Sequence, residues 1–175
     1  MGSAFGVPCV ENKNDVTIVG THLEDNLIKD IISKGHFHPR LKTKLPKDIK
    51  FIQFNELQSI LEQDLDLIVV GVSSIGIDWF VKQISKNYKK KLPIVLLTKG
   101  LSIVDNELIT LSDKIKDLLE KDGHSEINIS AIKGPCLAAG LANKMRTGTV
   151  IANENIKECQ SLKDMISTNY YSTEI

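Results

Sequence analysis

The segment Met1–Gly20 decides the fold of this chain: its first residues, M-G-S-A-F, run into an apolar, helix-like stretch that ends near Asn12. A short β-branched strand, Val16–Val19, follows and leads into Gly20. A glycine at the start of a helix, with a short buried strand after it, is typical of the second half of a βαβ unit. We therefore expect a sequence that starts part-way through such a unit, with Gly2 opening the helix.

Gly2 indicates where in the unit the sequence starts. In a complete dinucleotide-binding unit, a first strand leads into a G-x-G-x-x-G loop, whose last glycine lets the helix pack closely on the strand. Gly2 takes the place of that last glycine. The sequence thus predicts a Rossmann-like, doubly wound, mostly parallel sheet that lacks its first strand. The second strand, Val16–Val19, would then lack one neighbour, and such an open edge favours self-association.

Strand-like and helix-like segments alternate along the rest of the chain, which predicts an α/β fold with helices on both faces of the sheet. The apolar run Leu67–Val70 has the character of a strand buried on both faces. The polar stretch 36–50, which contains two prolines, predicts a loop. The predicted strands are 16–19, 51–54, 67–70, 94–97, 127–132 and 149–151. The predicted helices are 4–10, 24–33, 56–62, 77–85, about 106–119, 137–145 and 156–166.

The composition predicts a single domain over residues 1–175, because 42% hydrophobic content is enough to bury one core. The 22 basic and 22 acidic residues balance, and aromatic residues make up only 5%, so no nucleic-acid surface is expected. The lysine-rich turn Lys89–Lys91 is expected to be solvated. No apolar run approaches the roughly 20 residues of a membrane span, and the start lacks the pattern of a signal peptide.

Cysteine and histidine usage favours a reducing, metal-free setting. Cys9, Cys136 and Cys159 are odd in number and widely spaced, which argues against a disulfide framework and favours the cytoplasm. His36 and His38 could suggest a metal site. No cysteine or carboxylate is spaced as a third ligand, so we favour a structured loop and assign no metal.

Three turns are expected at the carboxyl ends of the parallel strands, the edge where ligands bind in open α/β sheets. They are 71–74, 98–100 and 133–136, and each contains a glycine that allows close backbone approach. Gly134 and Pro135 precede a predicted helix, whose free amides could bind an anion. An ordinary helix start is the alternative.

Lys99 and Cys136 are the reactive side chains of these turns. Lys99 ends an apolar strand and could aim its ammonium into the crevice to hold a phosphate or polarise a carbonyl. It could equally extend to solvent. Cys136, at a helix start, could have a lowered thiol pKa, but we favour a small residue that lines the wall.

Taken together, the turns resemble the NAD(P)-dependent glycerol-3-phosphate dehydrogenase family. Leu97–Leu101 (L-T-K-G-L) is similar to its (T/S)-K-G-(L/I) signature, and Ile132–Ala138 (I-K-G-P-C-L-A) to its I-x-G-P-(S/T)-x-A signature. Val72–Ser74 stands in place of its V-P-S turn, and His38–Leu41 resembles its loop before the third strand. Each motif alone is weak evidence, but together, in this order and spacing, the motifs extend over nearly the whole chain.

The resemblance implies hydride transfer between NAD or NADP and dihydroxyacetone phosphate or sn-glycerol 3-phosphate. Lys99 would be the catalytic residue and would contact both cofactor and substrate. Gly134 and Cys136 would face the substrate. Thr21 would sit by the adenosine ribose, where an acidic residue favours NAD and an arginine NADP; threonine decides neither. The residues implied to bind the cofactor are Met1, Gly2, Thr21, Lys99 and Ala138.

Departures from the family pattern leave alternatives open. Gly140 stands where an acidic residue is frequent, and the family's first strand and its second, helical domain, which carries a further essential lysine, have no counterpart in 1–175. We therefore expect an incomplete cofactor-binding domain that is inactive by itself. A non-catalytic nucleotide-binding module, a decayed paralogue, or another two-domain dehydrogenase of the 6-phosphogluconate or ketopantoate type remain alternatives.

Overall fold

The computed structural model describes residues 1–89 and 92–175, so Lys90 and Lys91 of the predicted solvated turn lie outside the described residues. The helices are α1 (Gly2–Glu11), α2 (Asp25–Ser33), α3 (Leu57–Leu61), α4 (Ile77–Ile84), α5 (Leu111–Lys121), α6 (Ala138–Ala142) and α7 (Ile156–Ile166). The strands are β1 (Val16–Val19), β2 (Phe37–His38), β3 (Thr43–Lys44), β4 (Ile49–Ile52), β5 (Ile68–Val70), β6 (Ile94–Leu96), β7 (Leu101–Val104), β8 (Glu107–Thr110), β9 (Ile129–Lys133), β10 (Thr147–Ala152) and β11 (Tyr171–Glu174).

The main sheet has five strands in the order β11-β10-β9-β6-β5. β5, β6 and β9 are parallel, with Val70 opposite Leu96 and Leu96 opposite Ala131. β10 runs antiparallel to β9 and parallel to β11. The prediction of a Rossmann-like, mostly parallel α/β sheet is therefore confirmed, with one antiparallel pair.

Strand β1 does not join that sheet: within residues 1–89 and 92–175 it pairs only with β4, in a separate two-stranded parallel sheet. The prediction that Val16–Val19 lacks one neighbour is confirmed. Burial reflects the break, because every residue of the interior strand β6 is buried, whereas Val69 in β5 is 36% exposed and β1 is only half-buried. Two open strand edges thus bound a gap between the sheets.

Helix α1 bridges the two sheets. On one side it packs on β1 and β4 at Gly6, where an added Cβ would lie 3.2 Å from Ile18 Cδ1 and from Ile49 Cδ1. On the other side the Phe5 ring meets Tyr171 of β11 edge-on at 6.4 Å. One hydrophobic cluster therefore extends from β4 through α1 to β6, β9 and β10.

The carboxyl ends of β1 and β5 lie at the same edge of the molecule. The His22 ring, which follows β1, lies 5.1 Å from that of Trp79 in α4, the helix that follows β5. The Thr98 hydroxyl, after β6, donates to the Val72 carbonyl at 2.6 Å, which links two of the predicted turns. Both sheets thus present the loops that follow β1, β5 and β6 at the same edge of the molecule.

The predicted helix from about 106 to 119 is wrong in its first part. Residues 101–110 form the β7–β8 hairpin, and α5 starts only at Leu111, where the Thr110 hydroxyl accepts from Asp113 N at 3.1 Å. Asp105 and Asn106 both have positive φ, at 50° and 65°, as a two-residue hairpin turn requires. These two residues make the turn instead of capping a helix.

Two smaller corrections concern the segment before β5. The predicted loop 36–50 contains the short β2–β3 hairpin, in which the buried His38 Nδ1 accepts from Leu41 N at 3.2 Å. The strand predicted at 51–54 lies at 49–52, because Phe54 already begins a 3₁₀ turn.

No helix in the described part of the chain is long and apolar enough to cross a membrane.

Candidate functional site

The predicted turns surround one crevice at the carboxyl edge of β5, β6 and β9. Its deeper part brings Met1, Lys99, Gly134 and Cys136 together, and its outer part adds Ala138. Five of the predicted site residues therefore share one site, although they come from three separate segments of the chain. The other residues that line the crevice are Phe5, Gly71, Val72, Ser73, Ser74, Leu97, Thr98, Ile132, Lys133, Leu137, Thr149 and Tyr171.

Lys99 lies across the crevice rather than along the strand. It is exposed, and its Nζ donates to the Gly134 carbonyl at 2.5 Å. The ammonium therefore reaches from the turn after β6 to the turn after β9, while the side chain stays exposed. No ion pair of Lys99 is found in the described part of the chain, so its charge is available to an anionic ligand.

Lys133 belongs to the same site and was missed by the sequence analysis. Its Nζ donates to the Thr98 carbonyl at 2.5 Å. Burial, and then repulsion from Lys99, lower the pKa of Lys133 below its ordinary value. The signal was present in the sequence, because Lys133 ends a strand and precedes a glycine just as Lys99 does.

The backbone conformation and the close packing at residue 134 require a glycine. Its φ is +146°, and an added Cβ would lie 3.0 Å from Gly148 O and 3.0 Å from Thr149 Cα. The missing side chain therefore lets β9 approach β10 closely, at the point where the Gly134 carbonyl receives Lys99.

Cys136 is a buried free thiol that lines both parts of the crevice. Burial raises the pKa of its thiol, although Thr147 and the Lys99 charge act in the opposite direction. The hypothesis of a lowered thiol pKa is therefore wrong, and the alternative of a wall residue is confirmed. Helix α6, which follows, starts at Ala138, which is packed against the main core.

The close approach at the start of α1 depends on Gly71 rather than on Gly2. An added Cβ on Gly71 would lie 3.1 Å from Gly2 Cα, whereas one on Gly2 would find only Gly71 Cα, at 3.9 Å. Whether Gly2 lets α1 pack closely on the predicted first strand stays a prediction. The glycine at the end of β5 has that role at the edge of the crevice, and Gly6 has it on β1 and β4.

Thr21 follows β1, outside the crevice described above. Its backbone N–H and its hydroxyl both donate to Glu24 Oε2, at 3.1 and 3.0 Å. An acidic side chain therefore stands beside the residue predicted to meet the adenosine ribose. The T-x-x-E spacing of Thr21 and Glu24 was the signal in the sequence for this local contact.

The comparison with protein families matches residues 1–159 to the N-terminus of NAD-dependent glycerol-3-phosphate dehydrogenase. The chain belongs to this family. It is 33% identical, over all its 175 residues, to the NADP(+)-dependent glycerol-3-phosphate dehydrogenase of Archaeoglobus fulgidus, of which it covers 50%. It is 29% identical to the glycerol-3-phosphate dehydrogenase [NAD(P)+] of Mesoplasma florum, of which it covers 49%.

Solved structures of glycerol-3-phosphate dehydrogenases share the fold. That from Saccharomyces cerevisiae has a TM-score of 0.79 at 16% identity, with 98% of this chain and 52% of that chain covered. That from Coxiella burnetii has a TM-score of 0.77 at 16% identity, with 98% and 49% covered. This member of the glycerol-3-phosphate dehydrogenase family therefore spans about half the length of the relatives it matches.

Proposed function

We propose that this chain is the cofactor-binding half of a glycerol-3-phosphate dehydrogenase, which transfers hydride between NAD(P)H and dihydroxyacetone phosphate or sn-glycerol 3-phosphate. The observation that carries the proposal is the convergence of the two signature turns: Lys99 of the K-G turn bonds directly to Gly134 of the G-P turn. The wider role would be in glycerophospholipid metabolism.

The crevice has features that fit a dinucleotide. The start of α1, which lies against Gly71, has no side-chain cap, so a phosphate could bind its free backbone N–H groups there. Glu24 would meet the ribose hydroxyls and would repel a 2′-phosphate, which favours NAD over NADP. When bound, the nicotinamide would supply or accept the hydride. Met1, Gly2 and Ala138 would line its path.

Lys99 would act on the reacting carbonyl. Its ammonium would hold the substrate oxygen and neutralise the negative charge that develops there during reduction. Gly134 and Cys136 would form the wall beside the substrate and exclude water. Because Lys99 already bonds to Gly134, the ammonium is held in the crevice before any ligand arrives, so little orientation is left to the moment of reaction.

A further, helical domain would complete the site, as the chain's coverage of half its relatives suggests. The β7–β8 hairpin next to Lys99 supports this, because Leu101, Ile103 and Leu108 are 58%, 70% and 70% exposed. Large exposed apolar groups beside a site mark a surface that another element covers.

We further propose that the substrate is a small molecule, that the protein works in the cytoplasm and that copies of the chain associate with one another.

Trp79 offers a direct test of cofactor binding. It is the chain's single tryptophan, and its ring lies 5.1 Å from that of His22, in the loop that follows β1, and 5.4 Å from that of Phe54. Titration with NADH should quench its fluorescence, and NADPH should bind more weakly. Glu24→Gln should narrow that difference, whereas the exposed Glu107→Gln should leave it unchanged.

The same titration separates the alternatives. No response of Trp79 to either cofactor, with the chain folded by circular dichroism, would contradict the proposal. Binding without turnover of dihydroxyacetone phosphate is the expected result for this chain alone, because the missing positioning is typically responsible for several powers of ten in rate. Turnover at a normal enzymatic rate would contradict the proposed need for a second domain.

A further inference from the structure

Lys133 lies at the end of β9, and its side chain reaches across to the turn after β6. Its Nζ donates to the Thr98 carbonyl at 2.5 Å, and no other hydrogen bond to that carbonyl is found within residues 1–89 and 92–175. Burial and the nearby Lys99 charge both disfavour the charged form of Lys133 and lower its pKa. The bond to Thr98 offsets part of the cost of keeping an ammonium there.

Thr98 is held from both sides. Its hydroxyl donates to the Val72 carbonyl, in the turn after β5, at 2.6 Å, and its own carbonyl accepts from Lys133 at the end of β9. Since β6 lies between β5 and β9 in the sheet, these two bonds tie the middle turn to both of its neighbours. The Thr98 backbone is therefore fixed, and the residue itself is buried.

The two residues after Thr98 have no such support from packing. Lys99 is exposed, and so is Gly100, whose φ is +116° and for which no described atom lies within 4 Å of an added Cβ. Side-chain packing therefore does not determine the direction in which Lys99 leaves the sheet. The peptide group between Thr98 and Lys99 determines it, because the carbonyl of that group is the one that Lys133 holds.

We propose that Lys133 is a positioning residue for Lys99 and acts through the Thr98 carbonyl. By fixing that peptide group, Lys133 sets the direction of the Lys99 side chain, whose ammonium then meets the Gly134 carbonyl at 2.5 Å. Each lysine thus holds the turn of the other, and little orientation of Lys99 remains when a ligand arrives. The role of Lys99 on the reacting carbonyl rests on the proposed function, whereas its positioning by Lys133 does not.

NMR of the full 175-residue chain tests the proposal without turnover. In the wild type, ¹³C relaxation should show an ordered Lys99 ε-methylene. Lys133→Met keeps the length of the side chain but removes its donor, so the Thr98 carbonyl carbon should move upfield as its hydrogen bond is lost. The Lys99 ε-methylene should then become as mobile as that of Lys116, an exposed lysine of α5. Lys133→Arg, which keeps a charged donor, should stay close to the wild type, and Lys116→Met should change neither signal.

Thr98→Val distinguishes action through Thr98 from a direct effect of a substitution at residue 133 on Gly134. It removes the bond to Val72 and leaves residue 133 unchanged, and Lys99 should again become more mobile. An unchanged Lys99 in either variant would overturn the proposal, even if Lys133→Met lowers the Tm. An unchanged Thr98 carbonyl carbon in Lys133→Met would also overturn it.

Titration with NADH, followed at Trp79, keeps this test apart from that of the proposed function. If Lys99 becomes mobile in both variants of a chain that binds no NADH, the positioning is supported and the proposed function is contradicted. If the chain binds NADH and Lys133→Met leaves Lys99 ordered, the function is supported and the positioning is overturned.

Discussion

The ammonium of Lys99 donates a 2.5 Å hydrogen bond to the carbonyl oxygen of Gly134, 35 residues further along the chain. The bond connects the turns that follow β6 and β9, which are neighbouring parallel strands with Leu96 opposite Ala131. Gly134 also lies against β10, next to Gly148 and Thr149. The close approach of β9 to β10 therefore determines where the Gly134 carbonyl, and the Lys99 ammonium bonded to it, lie in the crevice.

Gly134→Ala should therefore destabilise the chain. The new Cβ would lie 3.0 Å from backbone atoms of Gly148 and Thr149, and φ is +146°, so we expect a loss of more than about 1 kcal/mol in the free energy of unfolding. Gly123→Ala is the matched control, since Gly123 also has positive φ, at +89°, but has no atom within 4 Å of the added Cβ. Urea denaturation of both variants measures the difference, and equal losses would contradict the steric explanation.

The open edges of β1 and β5 should be visible in amide hydrogen exchange. Gly20 N donates to Ile52 O and Ile68 N to Pro93 O, so the alternate residues of each strand face the gap. The amides of Val19 and Val69 should exchange quickly, while those of Ile18 and Val70 should be protected.

Protection of all four amides would contradict open edges in solution. Light scattering distinguishes the reasons: protection in a dimer would indicate that copies pair through these edges, whereas protection in a compact monomer would contradict the gap between the two sheets.

Glu11 should contribute to stability in a pH-dependent way. Its carboxylate accepts from the Tyr170 hydroxyl and pairs with Lys144. Burial pushes its pKa upward, but these two partners outweigh burial, so the pKa lies below the ordinary value of 4.5. The contribution is therefore present above that value and is lost as the pH falls through the lower pKa of the folded state.

Glu11→Gln should accordingly flatten the fall of the urea midpoint below about pH 4.5, while the exposed Glu107→Gln should not. The effect should be modest, because the Glu11 side chain is partly solvated and its ion pair is screened. If the urea midpoint of Glu11→Gln falls at acid pH as steeply as that of the wild type, the contacts of Glu11 with Lys144 and Tyr170 contribute nothing to stability.

The local sequence pattern correctly predicted the helices and strands in which all residues favour the same secondary structure. β1 and α7 have the predicted bounds, since a β-branched run and a helical apolar stripe each leave one choice. The β7–β8 hairpin was missed because the helical spacing of Leu108 and Leu111 continues upstream, whereas the turn depends on two residues that tolerate positive φ. The sequence around Asp105 and Asn106 does not show that these two residues adopt positive φ.

The site was predictable where a motif fixed a residue, and not where only tertiary contacts do. Lys99, Gly134 and Cys136 converge as the resemblance implied. Lys133 was passed over because its position in the motif is unspecified, and its role depends on a carbonyl 35 residues away. The importance of Gly71 follows from the approach of α1, which no local pattern encodes.

The most direct test of the proposed function is turnover by a chimaera. Residues 1–175 replace the matching half of the Archaeoglobus fulgidus relative, and dihydroxyacetone phosphate reduction is followed with NADH and NADPH. We predict turnover, and a fall in kcat/KM of about 10² or more for Lys99→Ala, with unchanged Tm and little effect of Lys89→Ala. A folded chimaera without turnover would contradict the account, as would a Lys99→Ala variant that keeps full activity or loses it only by unfolding.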